Sequence, residues 1–422
     1  MSLPSRSGFP AGRARSGGAL LKAIFNAPSP EEYIRRLPAQ SLFIAIKQAG
    51  LESSAEVVEV ASLEQCRLLM DFDCWRGDSF CEENFWEWLA LCDAGDGLDL
   101  LYKLLKFVDY KLAALMVGRY VHSWVSDQPS DPPPDAGYYT PDHGRTWIKI
   151  NVEDPRRHFL LARFLAALFE RDADAFYQLL SVPNVATPAM LEEEAYQEKQ
   201  KRLAAEGLPD DEYAFELCRP VAIDQALRAL KESGVRPAFD LVAVIEPLLY
   251  QPQAIQPLSD LAERVGDDFG AEFTLLVNAA LVRWRFDLSS AEEALRAAAQ
   301  VRGALNIGLT KLISASQAPA LEIYQACGLR ALFGCGLESL TALRKAALAA
   351  DEKLWRGIEP AAAQAAAEAL REPLPRRPAF LDENGRLLRR EDGSLDPTLR
   401  PIETLNQVEM LLRFIRGENA AL

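Results

Sequence analysis

Carboxylates are the most abundant chemically active side chains in this sequence, and several of them lie close together in its first quarter. Asp71, Asp73 and Trp75 alternate along one short segment, and Glu82 and Glu83 follow it. Carboxylate oxygens are the ligands that Mg²⁺ and Ca²⁺ prefer, and they also attract basic proteins. We interpret these five residues as candidates for binding a partner or a cation. The alternative is that the acids are solvated helix ends and that the tryptophan belongs to a core.

A dedicated metal centre is not predicted. A calcium loop that begins at Asp93 would need Gly at position 98 and Glu at position 104, where the sequence has Leu98 and Leu104. The paired Cys66 and Cys74 are too far apart for a short zinc-binding hairpin. We expect the seven cysteines to be small buried apolar residues, which fits a reducing cytoplasm.

The three histidines, His122, His143 and His158, are also spaced too widely for a helical or finger-type zinc site. His143 lies in the turn sequence Asp142-His143-Gly144 and is best read as an exposed turn residue. The alternative is an enzyme whose site lies between the helical body and the hairpin at 138–150, with His143 as an acid or base.

Sequence motifs for catalysis or cofactor binding are missing. The chain has no GxGxxG, no GxxxxGK[ST] and no GxSxG, so neither a nucleotide loop nor a nucleophile elbow is predicted. We expect no cofactor, and the sequence favours a protein that is not an enzyme.

Arg376 and Arg377 lie between prolines in the stretch PLPRRP. Paired guanidinium groups bind carboxylates or phosphates through two hydrogen bonds each. They could therefore hold an anion or dock onto an acidic patch of their own protein.

The charge of the chain is negative and unevenly placed. The net charge is -15, and the segment 52–109 contains 14 acidic against 4 basic residues, a local balance of -10. Nucleic acids and anionic lipids require a basic face, so neither is an expected partner. The acidic segment instead predicts a basic protein partner.

No stretch of the sequence is apolar and long enough to predict a membrane span. Residues 1–18 combine arginines with Ser, Gly and Pro and are interpreted as a disordered tail, not as a secretion signal. We expect a cytoplasmic protein.

Helix signals dominate the chain and predict a mainly α fold. Ser29 to Glu32 and Ser62 to Gln65 have the pattern of capping boxes, and Asp154 precedes a proline at a predicted helix start. The first helices are short and closely spaced, which indicates a superhelix of stacked single helices. The apolar run 98–125 predicts a longer helical stretch.

Two breaks interrupt the helices. Four prolines at 127–135 predict a linker, the next residues predict a β-hairpin over 138–150, and turn signals in 380–395 predict a second hairpin. The expected organisation is a tail at 1–18, a superhelix at 19–126, the linker at 127–135, a hairpin with helical body at 136–372, and a Pro-rich break with hairpin and final helix at 373–422.

The stretch RLPAQSLFIAIKQAGLESSAEVVEVASLEQCRLLMDFDCW, at 36–75, resembles the repeats in the cytoplasmic superhelix of MgtE-type magnesium transporters. It is also similar to the opening of an uncharacterised bacterial domain-of-unknown-function family. Further matching pieces are residues 192–220, VRGALNIGL at 301–309, LRALFGCG at 329–336 and RRPAFL at 376–381. The family resemblance covers most of the chain and implies no function. The transporter resemblance implies a superhelical shape and a response to cations.

Together these observations predict a non-enzymatic interaction or regulatory protein with an acidic N-terminal helical surface. The alternatives are the enzyme described above and a regulatory module that responds to divalent cations.

Overall fold

The computed structural model describes residues 27–93, 98–126, 135–232, 255–288, 290–350, 355 and 358–417. These residues form eighteen α-helices and three two-stranded antiparallel sheets. The predicted fold class, mainly α with small hairpins, is confirmed.

The chain divides into two compact units. Unit 1 contains Met1–Leu203 and Leu288–Ala291, and unit 2 contains Ala204–Asp287 and Glu292–Leu422. The elements that begin in unit 1 are α1 (Pro30–Arg36), α2 (Ala39–Ala49), α3 (Ala55–Val60), α4 (Leu63–Asp73), β1 (Trp75–Arg76), β2 (Ser79–Phe80), α5 (Glu82–Asp93), α6 (Asp99–Phe107), α7 (Tyr110–Tyr120), β3 (Val121–Val125), β4 (Thr146–Ile150), α8 (Pro155–Arg171), α9 (Ala173–Ser181) and α10 (Pro188–Ala205). The remaining elements are α11 (Asp211–Leu217), α12 (Ile223–Glu232), α13 (Leu258–Val265), α14 (Asp267–Arg283), α15 (Ala291–Ser316), α16 (Ala320–Ala349), α17 (Pro360–Arg371), β5 (Arg376–Pro378), β6 (Leu399–Pro401) and α18 (Leu405–Ile415).

The first four helices are short, with six to eleven residues each. The capping box at Ser62 is formed, because its side chain accepts from the Gln65 backbone and the Gln65 side chain accepts from the Ser62 backbone. Ser29 makes no such bond, so α1 begins at Pro30 without the predicted side-chain cap. The predicted superhelical stacking of these helices stays a prediction.

The apolar run at 98–125 forms two helices and a strand, where the sequence predicted continuous helix. Asp109 caps α7 through the Lys111 backbone, and α7 ends at Tyr120. The β-branched and aromatic residues that follow form β3, since such side chains favour strands. The main partner of β4 is therefore β3, while Tyr139 adds a single bridge to Ile148.

This pairing adds to the predicted hairpin, whose Tyr139–Ile148 bridge is present, a strand that precedes the prolines. Residues 127–134 lie outside the described residues, but β3 before them and β4 after them belong to one sheet of unit 1. The Pro-rich segment thus connects two strands of one unit, and the boundary between the units falls within α10.

In unit 2, α15 and α16 approach so closely that their backbones touch. A Cβ atom on Gly308 would lie 1.9 Å from the Leu332 carbonyl oxygen, and one on Gly336 would lie 1.8 Å from the Ala304 carbonyl oxygen. Only glycine, which lacks a side chain, permits this approach. The glycines of VRGALNIGL and LRALFGCG are therefore packing positions.

The same stretch of α15 also holds the chain before α18. The Asn306 side chain donates to the Glu403 carbonyl at 2.9 Å and accepts from the Leu258 backbone at 3.2 Å. Arg302 pairs with the Glu403 carboxylate at 2.9 Å. Buried polar side chains here replace the backbone partners that helix ends and turns lack.

The C-terminal region confirms the second predicted hairpin. β5 pairs with β6, and the chain between them makes bridges from Leu381 to Leu387 and from Arg389 to Leu395. The last helix, α18, begins at a capping box formed by Thr404 and Gln407.

Candidate functional site

Asp71 is buried at the C-terminal end of α4, with 3% of its surface exposed. Both of its oxygens accept hydrogen bonds from Arg202, at 2.7 and 2.8 Å, and Arg202 also pairs with Asp109 at 3.0 Å. Burial raises the pKa of the Asp71 carboxyl against the opposing effect of Arg202. Burial opposes the charge of Arg202 as well, but the two carboxylates outweigh it and raise the pKa of Arg202.

Asp73 is also buried and is surrounded by three donors from two other helices, α2 and α5. Lys47 lies 2.9 Å from one of its oxygens, Asn84 donates to the same oxygen at 3.1 Å, and the Trp88 indole donates to the other at 3.0 Å. A carboxylate with this many donors is satisfied inside the fold. Asp71 and Asp73 thus join α4 to α2, α5 and α10 of unit 1 and do not lie on its surface.

Glu82 is half-buried near the start of α5. It accepts from the Trp86 indole at 3.1 Å, from Arg119 at 2.7 Å and from the Tyr120 hydroxyl. Burial would raise the pKa of this carboxyl, but the three hydrogen bonds lower it below its ordinary value. The neighbouring Glu83 is exposed and pairs with Arg157.

Trp75 is buried, and its cationic neighbour comes from its own chain. The Lys199 ammonium lies 5.2 Å from the centre of its ring, and the Tyr196 ring packs against the same tryptophan with the ring centres 5.6 Å apart. This is a cation–π contact within unit 1. Trp86 and Trp88 are buried too, so the tryptophans near the acids belong to the core.

Arg376 and Arg377 have different surroundings. Arg376 binds Glu372, four residues before it, through two hydrogen bonds. Arg377 lies opposite Arg400 in the β5–β6 pair, and burial followed by the charge of Arg400 lowers the pKa of Arg377. Two like charges at opposite positions of a strand pair repel each other.

His143 is exposed and has a left-handed backbone conformation, with φ of 59°. The turn around it is organised by the buried Asp142, which accepts from the Thr146 backbone at 2.8 Å and from the Tyr177 hydroxyl at 2.9 Å. His143 is therefore a turn residue, and within the described residues its ring makes no hydrogen bond or ion pair with a carboxylate.

Four further glutamates, which sequence reasoning missed, are exposed and unpaired, unlike the paired acids described above. Glu52, Glu56 and Glu59 follow one another along the helical stretch 51–60, and Glu64 lies in the first turn of α4. All four are exposed, and within the described residues their carboxylates have no ion pair or hydrogen bond. We call these four residues the acidic edge.

The spacing of four and then three residues places Glu52, Glu56 and Glu59 along one side of the helical stretch. Val57 and Val58, on the other side, are buried. This alternation between apolar and acidic positions was visible in the sequence and could have separated the acidic edge from the buried pair on α4. Six other acids of the segment 52–109 instead form ion pairs: Asp71, Asp73, Glu82, Glu83, Asp93 and Asp109.

In the part of the chain that the structure describes, no three histidine, cysteine or acidic side chains are grouped closely enough to bind a metal ion. Nor does any helix there combine the length and apolar composition that crossing a bilayer requires. All seven cysteines are free, and burial raises the pKa of the Cys218 and Cys335 thiols to about 12, which makes them poor nucleophiles.

These features define a mainly α protein of two units in which the buried carboxylates of Asp71 and Asp73 are paired with basic side chains of their own unit. A family model described as a family of unknown function, DUF6178, matches residues 13–416, and the chain belongs to this family. No curated protein and no solved structure matched the chain. The resemblance of residues 36–75 to MgtE-type transporters is therefore unsupported.

Proposed function

We propose that the protein is a non-enzymatic interaction protein and that the acidic edge binds a basic surface of a partner protein. The observation that carries the proposal is the contrast within one segment. Six acids of the segment 52–109 form ion pairs with basic side chains of unit 1. Glu52, Glu56, Glu59 and Glu64 of the same segment are instead exposed and make no ion pair among the described residues.

Exposed carboxylates of one sign steer a partner of opposite charge and fix its orientation. Leu63, which is 43% exposed beside Glu64, adds an apolar contact at the same place. An interface needs such apolar contacts as well as charge, because charge pairs at a rim contribute little affinity alone.

The experiment compares two full-length variants in quantitative pull-downs from lysate of the native host. The first replaces the four glutamates of the acidic edge by glutamine. The matched control replaces four other exposed glutamates, Glu212, Glu359, Glu383 and Glu391, by glutamine. Each variant changes the net charge from -15 to -11 by removing four negative charges.

We expect a protein captured by the wild type to be lost with the first variant and retained with the control, and its capture to weaken as salt increases. Equal loss with both variants would mean that only net charge matters, and equal retention would remove the acidic edge from the interface. Either result would contradict the proposal.

A further inference from the structure

One face of the β5–β6 pair holds two positive charges side by side. Arg377 and Arg400 are directly opposite each other in this antiparallel pair. Side chains alternate between the two faces of a strand, and directly opposite residues share a face. The neighbours Arg376 and Pro378 therefore occupy the other face, where Pro378 is buried. Arg377 and Arg400 are left together on the first.

Arg377 is half-buried, and among the described residues its side chain makes no hydrogen bond or ion pair. Its Nε atom is buried without a partner, whereas its terminal nitrogens are not buried, so the end of the guanidinium group meets the solvent. A guanidinium group stays charged at any ordinary pH and has five N–H donors. The end of this side chain can therefore accept a ligand that supplies oxygen atoms.

Two carboxylates act on Arg377, and neither forms an ion pair with it in the described part of the chain. Glu403 is bound to Arg302 at 2.9 Å, and Glu383 is exposed. Burial and the charge of Arg400 lower the pKa of Arg377, and these two acids raise it without reversing the direction. The acids of unit 2 thus leave this guanidinium group without a bound counterion.

Arg400 is exposed and also has donors to spare. It lies 3.8 Å from the carboxylate of Asp396, a distance too long for a hydrogen bond. Asp396 is bound more closely to Arg390, at 3.0 Å. The guanidinium group of Arg400 can therefore turn toward a ligand beside Arg377 without losing a strong contact.

We propose that Arg377 and Arg400 form a binding site for a doubly charged phosphate group, either free or as the monoester of a small organic compound. Each guanidinium group donates two N–H groups to phosphate oxygens, the geometry that arginine favours with phosphate. A monoester carries almost two negative charges at neutral pH and matches two cations, whereas a carboxylate carries one. Binding also offsets the repulsion between the two arginines, since like charges directly opposite in a strand pair destabilise it. The site belongs to unit 2 and does not depend on the acidic edge.

The experiment titrates the full chain with methyl phosphate, inorganic phosphate and dimethyl phosphate at constant ionic strength and about pH 7.5, where monoesters are doubly charged. Binding is followed by phosphorus NMR. Dimethyl phosphate is the matched probe, because it keeps the tetrahedral phosphate but carries only one charge. We expect methyl phosphate to bind with a dissociation constant of about 1 mM or below, and dimethyl phosphate to bind about tenfold more weakly.

The comparison with inorganic phosphate distinguishes the two sources of the group. Binding as tight as that of methyl phosphate would support the free ion as the ligand, and weaker binding would support an organic monoester. Equal affinities for methyl and dimethyl phosphate, or no binding of methyl phosphate at millimolar concentration, would overturn the proposal.

Variants locate the site. Arg377→Gln and Arg400→Gln should each weaken the binding of methyl phosphate about tenfold, because each removes one guanidinium group. The matched control is Arg386→Gln, at an exposed position between β5 and β6, which removes the same charge and should leave the affinity unchanged. Arg400→Lys keeps the charge without the forked donors, so its affinity should lie between those of the wild type and Arg400→Gln.

Thermal unfolding without phosphate separates lost binding from lost folding. Arg400→Gln should unfold at the same temperature as the wild type or higher, because it removes the repulsion from Arg377. An equal loss of affinity in Arg386→Gln and Arg400→Gln would mean that only net charge matters. Full affinity in both Arg377→Gln and Arg400→Gln would place the phosphate elsewhere. Either result would contradict the proposal.

Discussion

The two units use different means to bring distant parts of the chain together. In unit 1, α4 is joined to its neighbours by buried carboxylates, with Asp71 bound to Arg202 and Asp73 bound to Lys47. In unit 2, α15 and α16 meet backbone to backbone at Gly308 and Gly336. The first arrangement depends on the charge state of a few groups, and the second depends on the absence of side-chain atoms at a few positions.

This difference has consequences for what each unit tolerates. A close helix contact built on glycine has no space for an added methyl group, because protein interiors are packed as densely as crystals. A buried ion pair fails when one partner is removed, since the other charge is then left without compensation. We therefore expect the two units to respond to different substitutions.

The largest effect is expected for Gly336→Ala in unit 2. The added Cβ would lie 1.8 Å from the Ala304 carbonyl oxygen, and this neighbour is backbone that cannot rotate away. We expect the free energy of unfolding to fall by about 4 kcal/mol, at the upper end of single substitutions. Urea unfolding followed by circular dichroism measures this change.

The control is Gly270→Ala in α14, where nothing lies within 4 Å of the added Cβ. Alanine favours a helix over glycine, so this variant should be more stable by about 0.5 kcal/mol. If both variants lost the same stability, the close approach of α15 and α16 would not be the cause.

The next effect is expected for Arg202→Met in unit 1. This change leaves the carboxylates of Asp71 and Asp109 without their shared cation, and Asp71 is buried. We expect a loss of about 3 kcal/mol in the free energy of unfolding. The double variant Asp71→Asn with Arg202→Met should recover part of this loss, because it removes the uncompensated charge. A double variant that is less stable by the sum of both single losses would show that the two residues do not interact.

The smallest effect is expected for Asp142→Asn and depends on pH. Burial would raise the pKa of the Asp142 carboxyl, but the hydrogen bonds from Thr146, Tyr177 and Thr140 lower it below its ordinary value of 3.8. The unfolded chain therefore binds the proton more readily, and the stability from Asp142 is present above about pH 4 and is lost as the pH falls further.

At pH 7 we expect Asp142→Asn to lower the free energy of unfolding by about 1 kcal/mol, because neutral hydrogen bonds replace charge-assisted ones. The difference from the wild type should shrink as the pH falls below about 4. Unfolding curves across this range provide the test, with the exposed Asp174→Asn as the control. A difference that stays constant with pH would contradict the assignment.

Helix starts were among the features that the sequence predicted well. The Ser62 box and the cap of α8 by Asp154, which accepts from the Arg156 and Arg157 backbones, are both present. Val121 to Val125 was less predictable, since its apolar residues continued the pattern of a helix and formed a strand only through pairing with β4. The partner strand lies beyond the prolines, within the hairpin predicted over 138–150, but no local signal indicated that Val121 to Val125 would pair with it.

The acidic residues also separate what the sequence determined from what the tertiary structure decided. The sequence determined that unit 1 would contain many carboxylates between positions 52 and 109, and that it would be rich in short helices. Only the tertiary structure decided which of these carboxylates are buried and paired and which remain exposed. The cation that neutralises Asp71 is 131 positions away along the chain, at Arg202. Helix caps form between residues two or three positions apart and can be read locally, whereas a buried charge finds its partner only when distant segments pack together.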